Sequence, residues 1–434
     1  MKHLRLLVLV FLGTVSLVNA QDSVQLRNHI NILCSKGYFG RGYVGKGMQK
    51  AGKYIAQQYK DAGLKSFGND YGQPFSYSVN TFPGVVDVKI NQVTLKAGED
   101  YLVNPASNGA QAEQLKLKVI DGMDFARKAK AGKEDKQWQS WLKKMSKQKY
   151  AYLLTNLDTV KRIRKFERNR DLFEQLPKGI FLIPRKDKPI WSVAKTAIPA
   201  TVIELYDTTI TFNKKSKVDI AIINQPVPKF NAENIVGFVA GTQVPDSFIV
   251  ITAHYDHLGK MGSRTMFPGA SDNATGTAML LELAKYYAAN PAKYSMVFIA
   301  FAGEEAGLIG SKYFTEHPLV PLEQIRFLLN LDIMGDATDG ISVVNGKTHE
   351  AEYKTLAALN ASGENGFVFR DVTMGGPAAN SDHYHFSEKG VPAFFIFTKG
   401  GKGYYHDIWD KAENVTLNNV PELGNLIRRF IATF

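Results

Sequence analysis

The sequence predicts an α/β fold: a three-layer sandwich around a mostly parallel central sheet, with an inserted smaller α+β domain. Three observations predict it. From Asn234 onward, near-continuous apolar runs at Ser247–Thr252, Tyr294–Phe301, Phe327–Leu331 and Ala393–Phe397 alternate with helical patterns. Strands covered on both faces and joined through crossover helices require that pattern. Between about 85 and 226 the period drops to two, as in Val86-Asp-Val-Lys-Ile90 and Leu115-Lys-Leu-Lys-Val119, the mark of half-buried strands. Residues 85–230 also carry 28 Lys and Arg against 16 Asp and Glu, the chain's whole formal charge of +12, while the remainder is balanced at 25 of each.

At 434 residues, 44% apolar and 22% charged, the chain has the length of two or three globular domains and can bury a core that needs no covalent staple. Residues 1–20 read as a signal peptide. Lys2, His3 and Arg5 precede an apolar core from Leu6 to Val18, and Val18, Asn19 and Ala20 form a small-residue cleavage site. The apolar run is too short for a comfortable membrane span; an uncleaved anchor is the alternative. The expectation is export to the periplasm or the extracellular space, with no integral membrane segment after cleavage. Cys34 is the sole cysteine, which excludes an intrachain disulfide and Cys-based zinc sites.

Residues 21–84 read as a helical lead-in packing on the larger domain. Met48, Ala51, Ile55 and Tyr59 recur at helical spacing until Gly63, and a turn-rich stretch runs on to about Tyr77. In residues 85–230, short apolar strands at 150–154, 180–183 and 200–203 alternate with basic helical stretches at 124–149 and 158–175. The run Lys161, Arg162, Arg164, Lys165, Arg168 and Arg170 is interleaved with Glu167, Asp171 and Glu174 and lacks any nucleic-acid motif. It reads as a solvated helix face, and no nucleic-acid partner is expected.

Residues 231–434 carry the chemistry. In open α/β sheets the site lies beyond the carboxyl ends of the strands. His254 follows one apolar run, Glu304 and Glu305 follow a second through Gly303, and Asp332 ends a third. Asp272 sits in the loop after His254, and His406 in a Gly-rich loop after the last run. Each is a weak signal alone; five potential ligands at strand ends are not. Two zinc ions about 3.5–4 Å apart can clamp a hydrolytic water and a scissile carbonyl together. Asp272 would bridge them, His254 with Asp332 would complete one set, and Glu305 with His406 the other. Glu304, beside a ligand, is placed to take the water's proton and hand it to the leaving amine. Asp256 can accept the free N–H of His254 and fix that ring. His257, His317, His349 and His385 read as structural or surface residues. Residues 251–310 alone are compatible with one metal or two.

The segments HYDH, SDNATG, GEEAGLIGS, NLDIMG and a late His after a Gly-rich loop resemble the exported co-catalytic zinc aminopeptidases. Their superfamily also holds glutamate carboxypeptidases, glutaminyl cyclases and the catalytically dead transferrin receptor. The resemblance implies a metallo-exopeptidase acting on peptides, with the same ligand pairing and Glu304 as base. It also implies that residues 85–230 stand where many members insert a protease-associated domain, which the Ala197–Ile203 segment fits and the basic helices do not. Ser381, Asp382 and His383 fit a family pattern beside the pocket, outside the ligand set. The small bacterial aminopeptidases carry a Tyr just before that pattern. Here residues 375–380 hold none, which leaves the metals, Tyr404 or Tyr405 to stabilise an oxyanion. Two other readings stay open: a glutaminyl cyclase-like acyl transferase with one zinc, and a non-catalytic binding protein on the same fold. The sequence does not address oligomeric state.

Overall fold

A computed structural model describes residues 23–129, 132–146, 149–206, 211–213, 215–363 and 367–434. The signal-peptide expectation for residues 1–20 lies outside them. Among the described residues no helix is long and apolar enough to cross a membrane.

The described strands in chain order are β1 (Gly72–Thr81), β2 (Val86–Ile90), β3 (Val93–Thr94), β4 (Tyr101–Val103), β5 (Ala110–Asp121), β6 (Ala151–Thr155), β7 (Gly179–Pro184), β8 (Ala200–Leu205), β9 (Lys217–Ile222), β10 (Gln225–Val239), β11 (Val244–His254), β12 (Gly259–Met261), β13 (Thr265–Phe267), β14 (Tyr294–Phe301), β15 (Ile325–Leu331), β16 (Ile341–Val344), β17 (Val372–Met374) and β18 (Ala393–Thr398). One eight-stranded sheet runs β1-β10-β14-β11-β15-β18-β16-β17, and β2 to β9 form another in the order β3-β2-β9-β5-β6-β7-β8-β4. In the first, the central strands β14, β11, β15 and β18 are mutually parallel, and β10 and β16 flank them antiparallel.

The continuous apolar runs are explained by burial on both faces. Met296, Phe298 and Ala300 of β14 enter one core with Ile249 and Ile251 of β11 and Phe327 and Leu329 of β15. The residues between them, Val297, Ile299, Val250 and Leu328, enter a second core with Phe314 and Phe386. Alternation then carries no polar signal, since every second residue meets a helix layer instead of water. The first core is closed by helices Ser23–Leu33, Gly47–Ala62, Thr275–Ala289 and Val420–Ile431. Helices Ile309–Glu316 and His383–Glu388 cover the other face.

The lead-in differs from its expected form. Its helix Gly47–Ala62 ends at Gly63, whose φ of 83° gives a left-handed cap. The turn-rich stretch, however, continues into β1, which pairs antiparallel with β10 through Gly72↔Ile235 to Thr81↔Gln225. An edge strand tolerates Pro74, and its pairing partner lies about 150 residues downstream, beyond the reach of local pattern.

Arg41 ties the lead-in to the site loops. Fully buried, it donates to the carbonyls of Tyr255 (2.8 Å), Pro268 (2.7 Å) and Gly269 (2.6 Å). Replacing Arg41 with Met should leave those acceptors unsatisfied and lower stability by roughly 3 kcal/mol or more, measured by urea unfolding; an unchanged midpoint would refute the assignment. Beside it, burial pushes the Cys34 thiol up to about 12 against a smaller opposing pull from Arg41. At pH 8 only about one thiol in ten thousand would then be ionised. Iodoacetamide should leave the folded chain unlabelled by mass spectrometry and add one carbamidomethyl group after denaturation.

Candidate metal centre

Because β14, β11, β15 and β18 run the same way, their carboxyl ends open on one rim. The ladder registers His254 against Phe301 and Leu331 against Ile396. The last residue of β11, the residue after β15 and the turn after β14 therefore meet at the same height. At Gly303 the chain reverses with φ of +74°, and an added side chain would press on the Tyr77 ring. Glycine permits the turn that brings Glu304 and Glu305 back over the sheet.

Asp272 stands at the centre. One carboxylate oxygen lies 3.2 Å from His254 Nε2 and the other 3.0 Å from His406 Nε2. His254 Nε2 is also 3.2 Å from Asp332 Oδ1, and His406 Nε2 is 3.1 Å from Glu305 Oε2. His254, Asp272 and Asp332 can each point a ligand atom at one ion, and so can His257, Asp272 and Glu305. The five ligand positions predicted from sequence are thus together, and a sixth residue has joined them.

That residue is His257, which reads from sequence as structural or surface. It is fully buried, with Nδ1 2.6 Å from Glu305 Oε1. Its signal was present: it lies three residues past His254 on the same strand exit. The other oxygen of Glu305 faces His406, whose single ring nitrogen touches both Asp272 and Glu305. Both imidazoles thus reach Glu305, His257 from one oxygen and His406 from the other, and His406 also reaches Asp272.

Asp256 does something other than expected. The His254 ring N–H at Nδ1 donates to the Asp256 backbone carbonyl at 3.2 Å, whereas the carboxylate lies 3.8 Å away. The Asp256 carboxylate instead accepts the backbone N–H groups of Glu304 (3.1 Å) and Glu305 (3.3 Å). A bare β-turn leaves those amides unpaired, so Asp256 fixes the Glu304–Glu305 turn rather than the ring. Asp410 does the same for the bridging loop, accepting from Ser271 N (2.8 Å) and Asp272 N (3.1 Å). Asp332 is held by a relay: Thr252 donates to Asn330, Asn330 to Ser381, and the Ser381 hydroxyl to Asp332 Oδ2, each at 2.7 Å. That relay is the role of Ser381 beside the ligand set.

The electrostatics are those of a cation site. Glu304, Glu305, Asp272, Asp332, Asp256 and Asp382 gather here, and among the described residues none is ion-paired with Lys or Arg. Buried charges left this way demand compensation. Burial opposes ionisation of Asp272, yet hydrogen bonds from His254 and His406 carry it well below the usual range. Burial likewise opposes Glu305, but the charge on His406 brings it down to about 2. Burial disfavours the charged His406 ring, and Glu305 and Asp272 still raise it to about 11. The imidazolium protons sit where multivalent cations would balance the same carboxylates, and the nitrogen and oxygen donor set suits zinc. Glu304 behaves oppositely: burial, reinforced by Glu305, Asp332 and Asp382, pushes it well above the usual carboxylate range despite nearby His254.

Beside the centre lies a cavity of about 90 Å³ lined by Asp272, Ile333, Gly335, Tyr404 and Tyr405, among others. The Tyr405 ring stacks on His406, centroids 3.9 Å apart.

Residues 234–431 match the model of peptidase family M28. Aminopeptidase YwaD of Bacillus subtilis (strain 168) is 30% identical over 250 residues, which cover 55% of this chain and 52% of that protein. A protein of Pyrenophora teres f. teres (strain 0-1) named "Probable zinc metalloprotease" is 33% identical over 132 residues, 30% of this chain and 27% of the other. The chain thus spans about half the length, or less, of the curated relatives it matches. Among solved structures, an aminopeptidase from Aneurinibacillus sp. strain AM-1 superposes with a TM-score of 0.58 at 18% identity, covering 95% of this chain and 93% of that one. BSAP, a zinc aminopeptidase from Bacillus subtilis, gives 0.61 at 17% identity, with 94% and 93% covered. These two likenesses establish the fold.

Proposed function

We propose that this chain, whose residues 234–431 match the model of peptidase family M28, is a metal-dependent exopeptidase, an aminopeptidase that removes N-terminal residues from peptides with two zinc ions. The observation that carries the reading is Asp272, one carboxylate facing the ring nitrogens of both His254 and His406 at 3.2 and 3.0 Å. A shared carboxylate makes two ligand sets from five residues: His254, Asp272 and Asp332 on one side, Asp272, Glu305 and His406 on the other. Zinc held there supplies Lewis acidity and lowers the pKa of water.

The chain's own groups do the rest. Glu304 is 4.0 Å from His254 Nε2, close to the ligands but free to exchange a proton. It accepts the proton of the attacking water and delivers it to the departing amine, and its elevated affinity for protons suits the second step. Asp256 holds the Glu304 backbone and so fixes its approach. The cavity beside Asp272 receives the substrate's terminal side chain, with Tyr405 at its wall. We read residues 85–230 as an inserted domain, the chain as exported through residues 1–20, and the peptide as its substrate. Aminopeptidase naming of the relatives supports amino-terminal cleavage.

The test is digestion of a peptide library by the full chain with and without chelator, read by mass spectrometry beside a Gln-peptide cyclisation assay. Stepwise loss of N-terminal residues, abolished by chelator and restored by zinc, is the expected result. Cyclisation without hydrolysis would replace the reading by the acyl-transfer one, and inert, zinc-free protein would replace it by a binding role.

A further inference from the structure

A backbone atom beside the second sheet reaches the metal centre. His406 Nδ1 lies 2.7 Å from the carbonyl oxygen of Trp191, which belongs to the segment between β7 and β8. A carbonyl can only accept, so this contact places the ring proton on Nδ1 and leaves Nε2, the nitrogen facing Asp272 and Glu305, free to donate its lone pair. We infer that the Trp191 segment is a positioning element for the metal ligand His406, so that the inserted sheet completes the metal centre instead of merely covering it. The inference rests on the ligand role of His406 proposed above.

The segment is built to hold that carbonyl still. Trp191 is 4% exposed, its ring stacked on Phe267 of β13 at 4.5 Å and 15°. Its Nε1–H donates to the Val103 carbonyl at 2.8 Å, so the side chain is held between β4 of the second sheet and the β12–β13 hairpin. Downstream, Asn80 N donates to Ala194 O at 2.8 Å and Ile198 N to Ala106 O at 2.7 Å. On the other side, Lys188 pairs with Asp407, the residue after His406, at 2.7 Å. The loop bearing His406 is Gly-rich (Gly400, Gly401, Gly403) and has little stiffness of its own. Its docking on Lys188 and Trp191 supplies the rigidity that a ligand requires.

Groups that orient a ligand from outside the coordination shell are worth about 10- to 100-fold in metal affinity. The test takes the full zinc-loaded chain through buffers of graded free zinc, counting zinc per chain by plasma mass spectrometry and recording the thermal unfolding of each sample. Trp191→Ala, which removes the stack and the indole hydrogen bond, should release the zinc held with His406 at about 10- to 100-fold higher free zinc than the parent. Trp191→Phe, which keeps the stack, should restore most of the retention. A purely structural role would lower the unfolding temperature of metal-free and zinc-loaded samples alike and leave the zinc midpoint where it was; that result overturns the inference. If Trp191→Ala does not fold, Lys188→Met decides: loss of its ion pair should raise the midpoint about two- to fivefold, and no movement overturns the inference. His406→Ala runs alongside. If it keeps the parent's zinc, the ligand assignment itself falls; if it loses zinc while Trp191→Ala does not, only the positioning role falls.

Discussion

Glu304→Gln is expected to abolish peptide hydrolysis while zinc content stays at the parent level. Gln matches Glu in size and can keep the backbone contacts to Asp256, but it can neither take a proton from water nor return one to an amine. General acid–base groups contribute about 10²- to 10⁴-fold, so kcat should fall at least into that range with little change in KM. Glu304 is no part of either ligand set, so metal analysis should show no loss. Near-normal kcat in this variant would remove Glu304 from the mechanism. A variant that is inactive and also zinc-depleted would mark it as a ligand, leaving another group to act as base.

Asp272→Ala should have the largest effect on metal content. Its two oxygens face two imidazoles on opposite sides, so one substitution takes a ligand from both sets. The loss in zinc affinity should exceed the roughly 10- to 100-fold typical of groups outside the coordination shell and should touch both ions. Without metal the Asp272 carboxylate is the shared partner of the His254 and His406 rings, so the metal-free variant should unfold more easily than the metal-free parent. Zinc per chain after gel filtration, with circular dichroism for folding, checks both statements. A folded variant that retains two zinc ions would show that Asp272 is not shared; one that retains a single ion would assign it to the other set alone.

The meeting of the candidate ligands on one rim was legible because the parallel sheet makes it so. Once Tyr294–Phe301 and Phe327–Leu331 are read as buried parallel strands, their C-terminal residues must share a rim, and Glu304, Glu305 and Asp332 follow without knowledge of tertiary contacts. β1 was not legible, since its alternation is broken by Pro74 and its meaning depends on pairing with β10. The role of Asp256 was misjudged because sequence places a carboxylate near a ring but not which of its oxygens meets which amide. His257 was visible as a residue and invisible as a neighbour of Glu305. The Trp191 contact left no trace at all: it is made by a main-chain carbonyl, and every residue carries one.

The surplus of carboxylates at the rim has a consequence for how the molecule comes apart. Chain segments from β11, β14, β15 and the loops at 270 and 406 meet there, and without multivalent cations six carboxylates are balanced, among the described residues, only by the His254 and His406 rings. Ions that bind only the assembled rim stabilise it by mass action, about 2.7 kcal/mol for each site at a free concentration a hundredfold above its dissociation constant. Stripping the metal should therefore open the molecule locally before it unfolds globally. Brief protease treatment in chelator should cut first in the loops around residues 303–308 and 399–411, with the buried strands behind them protected. Zinc would then act as the closing stitch of the fold, and metal supply would set the lifetime of the protein as well as its turnover.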